Sequence, residues 1–349
     1  MSTEDEFYAL SPDAVLEAVE AAGFATTGHC FPLNALENRV YDVRLEDERH
    51  VVAKFYRPGR WSSDAIGEEH AMLHALEAAE IPVCVPLRFA DGETLRSFRD
   101  IHFAVWPRTG GRSPDEFRDD ELALLGRLLA RIHDTAEGLA LKHRPTLDAE
   151  SVPLRALDAL DAGDFLPPSC AERYRALVGE VVAIYRERSQ GVPLQAIHGD
   201  CHAGNLLRDG DRWFFLDFDD MVVGPAVQDV WMLLPGRDAE AARQRALLVD
   251  AYRTFRPFED RWLELIEPLR AFRYVFYAGW IARRWDDPSF PDAFPHFGTE
   301  DYWARETQDL EDQLHLIERG GVASPDEEGA PVASDDEAEL TNADFFWDL

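Results

Sequence analysis

One twenty-residue stretch, His198 to Asp217, constrains this chain more than any other; it reads HGDCHAGNLLRDGDRWFFLD. Leu194 to Ile197 reads as a short strand leading into it, and Asn205–Leu207 and Trp213–Leu216 read as two more strands flanking the turn Asp209-Gly210-Asp211. Asp200 and Asn205 then share one loop, and Asp217 ends the neighbouring strand. This is the layout that phosphoryl transfer to a hydroxyl asks for, because such a reaction leaves the protein mainly to align the attacking oxygen and neutralise phosphate charge. Asp200 is placed to take the acceptor hydroxyl's proton, while Asn205 and Asp217 offer hard oxygen ligands to Mg2+. An isolated HGD is ordinarily a solvated turn. HxDxxxxN followed by an apolar strand ending in Asp is far more specific.

Composition narrows the setting. The chain has 349 residues and 46% apolar content, enough for one or two globular units with a real interior. Its formal charge of −32 repels nucleic-acid phosphates and anionic membranes, so neither is an expected partner. Cys30, Cys84, Cys170 and Cys201 form no CxxC pair, which suggests neither a zinc knuckle nor a disulfide framework. MSTEDEFYAL carries no basic leader, and no segment holds 18 uncharged apolar residues, so a soluble cytoplasmic protein is expected, as a monomer. Of the 35 basic residues only Lys54 and Lys142 are lysine. Each raises the question of why arginine would not serve.

Upstream, Ser11-Pro12-Asp13 starts a short helix that Gly23 stops. Val40–Leu45 and Val51–Tyr56 form a hairpin with Lys54 near the end of its second strand, where a lysine reaches the α- and β-phosphates of a nucleotide. Ser62-Ser63-Asp64 caps a helix to about Ala79 with Ile66, Met72, Leu73 and Leu76 on one face. Its Glu69 is the expected carboxylate partner of Lys54, with Glu68 the alternative. IPVCVPLRF, ETLRSF and IHFAVWP read as further strands, so residues 1–108 form a small sheet with one helix. The breaker cluster from Thr109 to Pro114 marks a boundary, and residues 109–319 read as mainly helical, with helices at Glu121–His133, from Ser169 to Ser189, and at Val227–Leu234, Ala239–Phe255, Trp262–Trp285 and Thr299–Arg319. From residue 320 the chain has nine acidic and no basic residues and reads as a disordered tail.

Lys54, Glu69, the IHGDCHAGN loop and Asp217 resemble the protein-kinase-like fold of the aminoglycoside phosphotransferase and choline kinase group. The longer runs LNALENRVY, VVAKFYRPGRW, HRPT, HGDCHAGN, GPAVQDVWMLL, IEPLRAFR and ARRWDDPSFP resemble the stress response kinase A family of bacterial serine/threonine protein kinases, over about residues 8–318. The resemblance implies an α+β bilobal fold with a small N-lobe and a larger, mainly helical C-lobe. It also implies ATP and Mg2+ as cofactors, Asp200 as catalytic aspartate, Asn205 and Asp217 as metal ligands, and a role in stress survival. A protein hydroxyl is the implied acceptor; an amino alcohol, sugar or aminoglycoside on the same fold is the alternative, and a nucleotide-binding scaffold without turnover a third reading. No GxGxxG is present, so the turn Leu33 to Arg39, with Asn34, Ala35 and Asn38, is expected to cover the phosphates. Relatives often carry a small hydroxyl residue where Ala35 stands. Val105 and Trp106 fall where backbone groups would meet adenine. Only 11 residues separate Asp217 from Asp229, which leaves no room for a long activation loop. Asp219 and Asp220 read as solvated turn residues, with one of them assisting a second Mg2+ as the alternative; His198 reads as orienting the loop, with proton transfer the alternative. Asp229 reads as a helix cap, and Arg270, Arg273, Arg283 and Arg284 read as members of internal ion pairs, with receipt of an acidic or phosphorylated substrate the alternative.

Overall fold

The computed structural model describes residues 3–33, 35–149 and 151–320. Asn34 and the acidic tail with its Phe345-Phe346-Trp347 lie outside them. Contacts group the chain into two compact units. One is Met1–Phe117 with Arg131–Arg144 and His198–Met221; the other is Arg118–Ala130 with Pro145–Ile197 and the chain from Val222 onward.

In the first unit, α1 (Thr3–Tyr8) and α2 (Pro12–Ala21) precede β1 (Thr26–Leu33), β2 (Arg39–Leu45) and β3 (His50–Phe55). Ser11 accepts the Ala14 amide as N-cap of α2, and Ser62 does the same through Ala65 for α3 (Ser63–Ala78). β4 (Arg96–Phe98) and β5 (Ile101–Pro107) complete an antiparallel sheet of order β1-β2-β3-β5-β4. Val43, Leu45, Val51, Ala53, Phe55 and Val105 from the sheet meet Phe7, Val15 and Val19 from the first helices in one buried cluster. Lys54 falls between these inward residues in the alternation of β3, opposite Val40 on one side and Ala104 on the other.

Two strand expectations change. Thr26–Leu33 adds an edge strand to the two-stranded hairpin. IPVCVPLRF forms no strand, only an isolated parallel bridge from Val83 to Phe215, because Pro82 and Pro86 have no amide to give a ladder.

The helix α4 (Asp119–Glu137) runs from the second unit into the first. The second unit holds α5 (Ser151–Ala162), α6 (Pro168–Arg188) and β6 (Leu194–Ile197). In chain order the first unit's short hairpin β7 (Leu206–Asp209) and β8 (Arg212–Phe215) follows. The second unit then resumes with β9 (Val222–Pro225), α7 (Val227–Leu233), α8 (Ala239–Tyr252), α9 (Ile266–Arg283), α10 (Ser289–Ala293) and α11 (Glu300–Glu318). The chain therefore forms the expected α+β fold, an antiparallel sheet with helix followed by a mainly helical region. α5 lies so close to α9 that a Cβ on Gly279 would sit 2.5 Å from Ala156 Cα; only glycine fits. α6 starts at Pro168 rather than under a Ser169 cap. α9 starts at Ile266, four residues later than expected, because Asp260–Leu265 winds as a 3₁₀ turn before it. Asp229 is fully buried in the first turn of α7, whose cap position is Ala226. Arg270 is internal as expected, bonded to Glu267 and the Pro235 carbonyl. Among the described residues no helix is long and apolar enough to cross a membrane.

Candidate active site

Every described candidate belongs to the first unit. Uncharged hydrogen bonds help set the loop after β6. Gly199 holds φ +85°, a turn that favours glycine. His198 is fully buried and its Nε2 lies 2.7 Å from the Leu216 carbonyl, an acceptor, so Nε2 carries the proton. Its Nδ1 then faces the Asp200 amide at 3.4 Å. His198 thus orients the loop. The Asn205 side-chain amide donates to the Asp200 carbonyl at 2.9 Å, drawing the two ends of HGDCHAGN together. His202 accepts the Gly204 amide on Nδ1, which turns its Nε2 toward Asp200 Oδ2 at 3.6 Å.

The second loop, Asp217 to Asp220, is set by charge. Asp217 sits at φ +51° and leaves about half its carboxylate side chain in solvent. Lys54 Nζ reaches its Oδ1 at 2.8 Å and lies 3.7 Å from Asp219. The ammonium also faces the rings of Tyr56 at 5.2 Å and Trp106 at 5.8 Å. Burial opposes the Lys54 charge, but Asp217, Asp219 and Glu69 outweigh it and hold the group above the usual lysine range.

Asp219 is not a solvated turn residue, whereas Asp220 keeps 41% of its side chain exposed. Asp219 is 2% exposed, and its Oδ2 takes Arg60 at 2.5 Å and the Asn38 amide at 2.8 Å. Against burial, Arg60 and Lys54 hold its carboxyl well below the ordinary range. Arg60 also bonds Asp220 at 2.5 Å. Burial pushes the Asp220 carboxyl up, Arg60 opposes it, and the neighbouring Asp200 and Asp219 charges add to the rise.

Glu69, not Glu68, is the buried glutamate of α3, at 1% exposure. Its ion pair is with Arg144 at 3.1 Å, while Lys54 turns to Asp217 and Asp219. The expected Lys54–Glu69 partnership is therefore electrostatic rather than a direct contact. Burial pushes Glu69 up to about 7, with Lys54 and Arg144 opposing and Asp219 adding to it.

The remaining candidates divide. Ala35 is half-buried on the turn before β2. Asn38 spends its amide on Asp219 and its oxygen on the Arg57 amide, so its role here is to tie that turn to the acidic loop. Arg57 bonds the Leu36 and Glu37 carbonyls, giving the turn a second hold. The Val105 carbonyl accepts the Leu87 amide at 2.7 Å, and Trp106 is buried. The arginines 57, 60 and 144 were missed as site residues. Their signal was present in FYRPGRW and HRPT: in a chain with two lysines, arginine stands where a planar fork of donors is needed.

A sheet lysine paired with a strand-end aspartate, beside an oriented HGD loop, defines a phosphotransferase enzyme. The chain belongs to the phosphotransferase enzyme family, whose family model matches residues 31–266. It is 38% identical over 314 residues to stress response kinase A of Escherichia coli K12, covering 89% of this chain and 95% of that protein. It is equally similar to a serine/threonine protein kinase of Salmonella typhimurium LT2, with 89% and 94% covered. Among solved structures, an amicoumacin kinase in complex with AMP-PNP, Ca2+ and amicoumacin aligns at TM-score 0.69 and 19% identity, over 93% of this chain and 98% of that one. A microcompartment-associated aminopropanol kinase aligns at TM-score 0.64 and 19% identity, over 88% and 99%.

Proposed function

We propose that the protein is an ATP- and Mg2+-dependent serine/threonine protein kinase that moves the γ-phosphate to a hydroxyl, with Asp200, Asn205, Asp217, Lys54 and Glu69 as its working residues. The observation that carries the phosphate half of this reading is the convergence of Lys54 on Asp217 and Asp219 beside the Asp200 loop. The protein acceptor rests on the similarity to stress response kinase A and to the Salmonella serine/threonine kinase.

The donor set suits the cofactor. Among the described residues no three His, Cys, Asp or Glu side chains form a metal cage. Mg2+ prefers instead one or two carboxylates plus substrate phosphates and water, and the exposed Asp217 carboxylate with the Asn205 amide oxygen matches that habit. Bound there with ATP, Mg2+ would supply charge neutralisation on the phosphate oxygens. Lys54 adds a compact cation, held ionised by its acidic neighbours, for the nucleotide's phosphates. Asp200, its loop fixed by His198 and Asn205, accepts the hydroxyl proton as the acceptor oxygen attacks. The turn carrying Ala35 and Asn38 covers the phosphates, and the β5 end at Val105 and Trp106 borders the base.

Incubation of the protein with γ-labelled ATP, Mg2+, casein-like proteins and a panel of hydroxylated metabolites tests this reading. Label on protein Ser or Thr is expected. Label confined to a metabolite assigns the chain to small-molecule kinases, the activity named for its amicoumacin and aminopropanol relatives in fold. Nucleotide binding with no transfer to anything would leave only a scaffold.

A further inference from the structure

The two adjacent glutamates of α3 divide their work. The Glu68 carboxylate is cradled by three consecutive backbone amides, Lys142 at 2.7 Å, His143 at 3.1 Å and Arg144 at 3.1 Å, with His143 Nδ1 at 3.0 Å. Such a run of amides is a ready site for a carboxylate, and it pins the segment 142–144 to the outer side of the helix. Arg144 then turns inward, and its side chain keeps no exposed surface. Its Nε donates to the Ala65 carbonyl at 2.9 Å and its Nη2 to Glu69 Oε2 at 3.1 Å, both on α3. Its Nη1 donates to the Asp219 carbonyl at 2.5 Å, on the acidic loop. The guanidinium carbon lies over the Trp61 ring, 4.5 Å from its centroid, a cation–π contact that adds to these bonds. One side chain therefore bonds the helix twice and the loop of Asp217 once. A lysine has the charge but not the fork, and could not hold both partners in fixed directions.

We propose that Arg144 is a positioning residue: it latches α3 to the 217–220 loop, so that Glu69 acts on the loop carrying Asp217 through this guanidinium rather than by a direct lysine–glutamate bond. The catalytic meaning of the latch rests on the reading above, in which Asp217 holds the metal–nucleotide. The latch itself does not. Glu68 anchors the backbone of the arm, Arg144 transmits, and Glu69 and the Asp219 carbonyl receive.

Hydrogen–deuterium exchange on the full chain, for the wild type, Arg144→Gln, Arg144→Lys and the double variant Arg144→Gln/Glu69→Gln, tests the latch without requiring turnover. Arg144→Gln is expected to speed exchange in peptides spanning both 63–70 and 217–221. Arg144→Lys keeps the charge beside Glu69 and protects against outright unfolding; it is expected to loosen 217–221 more than 63–70. Exchange changes confined to 142–146 in both single variants would overturn the proposal. In the same samples the dissociation constant for MgATP is expected to rise about tenfold in Arg144→Gln, in the range of losses for residues that orient a metal ligand. The double variant should lose no more than the worse of Arg144→Gln and a Glu69→Gln single variant measured alongside it. Losses that multiply would show two independent residues and refute the coupling. If the wild type transfers no phosphate to any acceptor, the proposed function fails while the exchange result still decides the latch.

Discussion

Two loops of the first unit carry acidic residues at the candidate site, and they are held by different forces. His198–Asn205 is held in part by neutral donors and acceptors: a histidine on a carbonyl, an asparagine amide on a carbonyl, an amide on an imidazole. Asp217–Asp220 is fixed by cations, with Lys54 on Asp217, Arg60 on Asp219 and Asp220, and Arg144 on the Asp219 carbonyl. The difference matters chemically. A carboxylate that must take up a proton is better placed by dipoles than by a guanidinium, which would hold it ionised and weaken it as a base. Carboxylates gathered for a metal and polyphosphate repel one another and need compensating charge to stay in place.

The comparison can be broken most severely at Asp200. Asp200→Asn should cut phosphate transfer by a factor on the order of 10² to 10⁴, the usual range for a positioned base, with nucleotide affinity retained. Next comes Arg60→Ala, which leaves Asp219 buried with one cation fewer; denaturant unfolding should show a stability loss of about 3–5 kcal/mol. His198→Phe keeps a ring against Phe218 and removes the hydrogen bonds of the imidazole nitrogens. Its unfolding free energy should fall by the smaller amount of about 1–3 kcal/mol. If the two losses came out equal, the distinction between ionic and neutral anchoring would not stand.

The smallest expected effect is pH-dependent. Glu69 has a folded-state value raised to about 7 by burial, from an ordinary carboxyl near 4.5. A raised carboxyl favours the folded state below its ordinary value, and that contribution disappears as pH climbs through the folded one. Melting temperatures of wild type and Glu69→Gln, measured from pH 4.5 to 7, should therefore diverge, with the variant gaining relative to the wild type as pH rises. A constant offset across that window would remove the buried, titrating glutamate from the account.

Much of this arrangement was legible in the sequence, because its elements are local. Ser11 and Ser62 announce their helices through side chains that bond three residues on, and the apolar alternation of β2 and β3 places Lys54 without tertiary information. The HGDCHAGN spacing likewise brought Asp200 and Asn205 onto one loop. What escaped depends on contacts across long sequence separations. Asp219 reads as a polar turn residue until Arg60 and Asn38, more than 150 positions earlier, are found bonded to it. Glu69 looked like the partner of Lys54 because its helical spacing to Leu73 and Leu76 turns it inward, but the arginine that takes it comes from HRPT, 75 residues on. The IPVCVPLRF run failed for a simpler reason, since apolar content suggested a strand that two prolines could not complete.

The division of labour between the loops is tested most directly by Asp200→Asn and Asp217→Asn in parallel, reading the single-turnover rate of γ-phosphate transfer and the MgATP dissociation constant on the same samples. A crossed result is expected: Asp200→Asn loses rate and keeps affinity, whereas Asp217→Asn loses Mg2+-dependent affinity. Loss of affinity in Asp200→Asn, or unchanged affinity in Asp217→Asn, would contradict it.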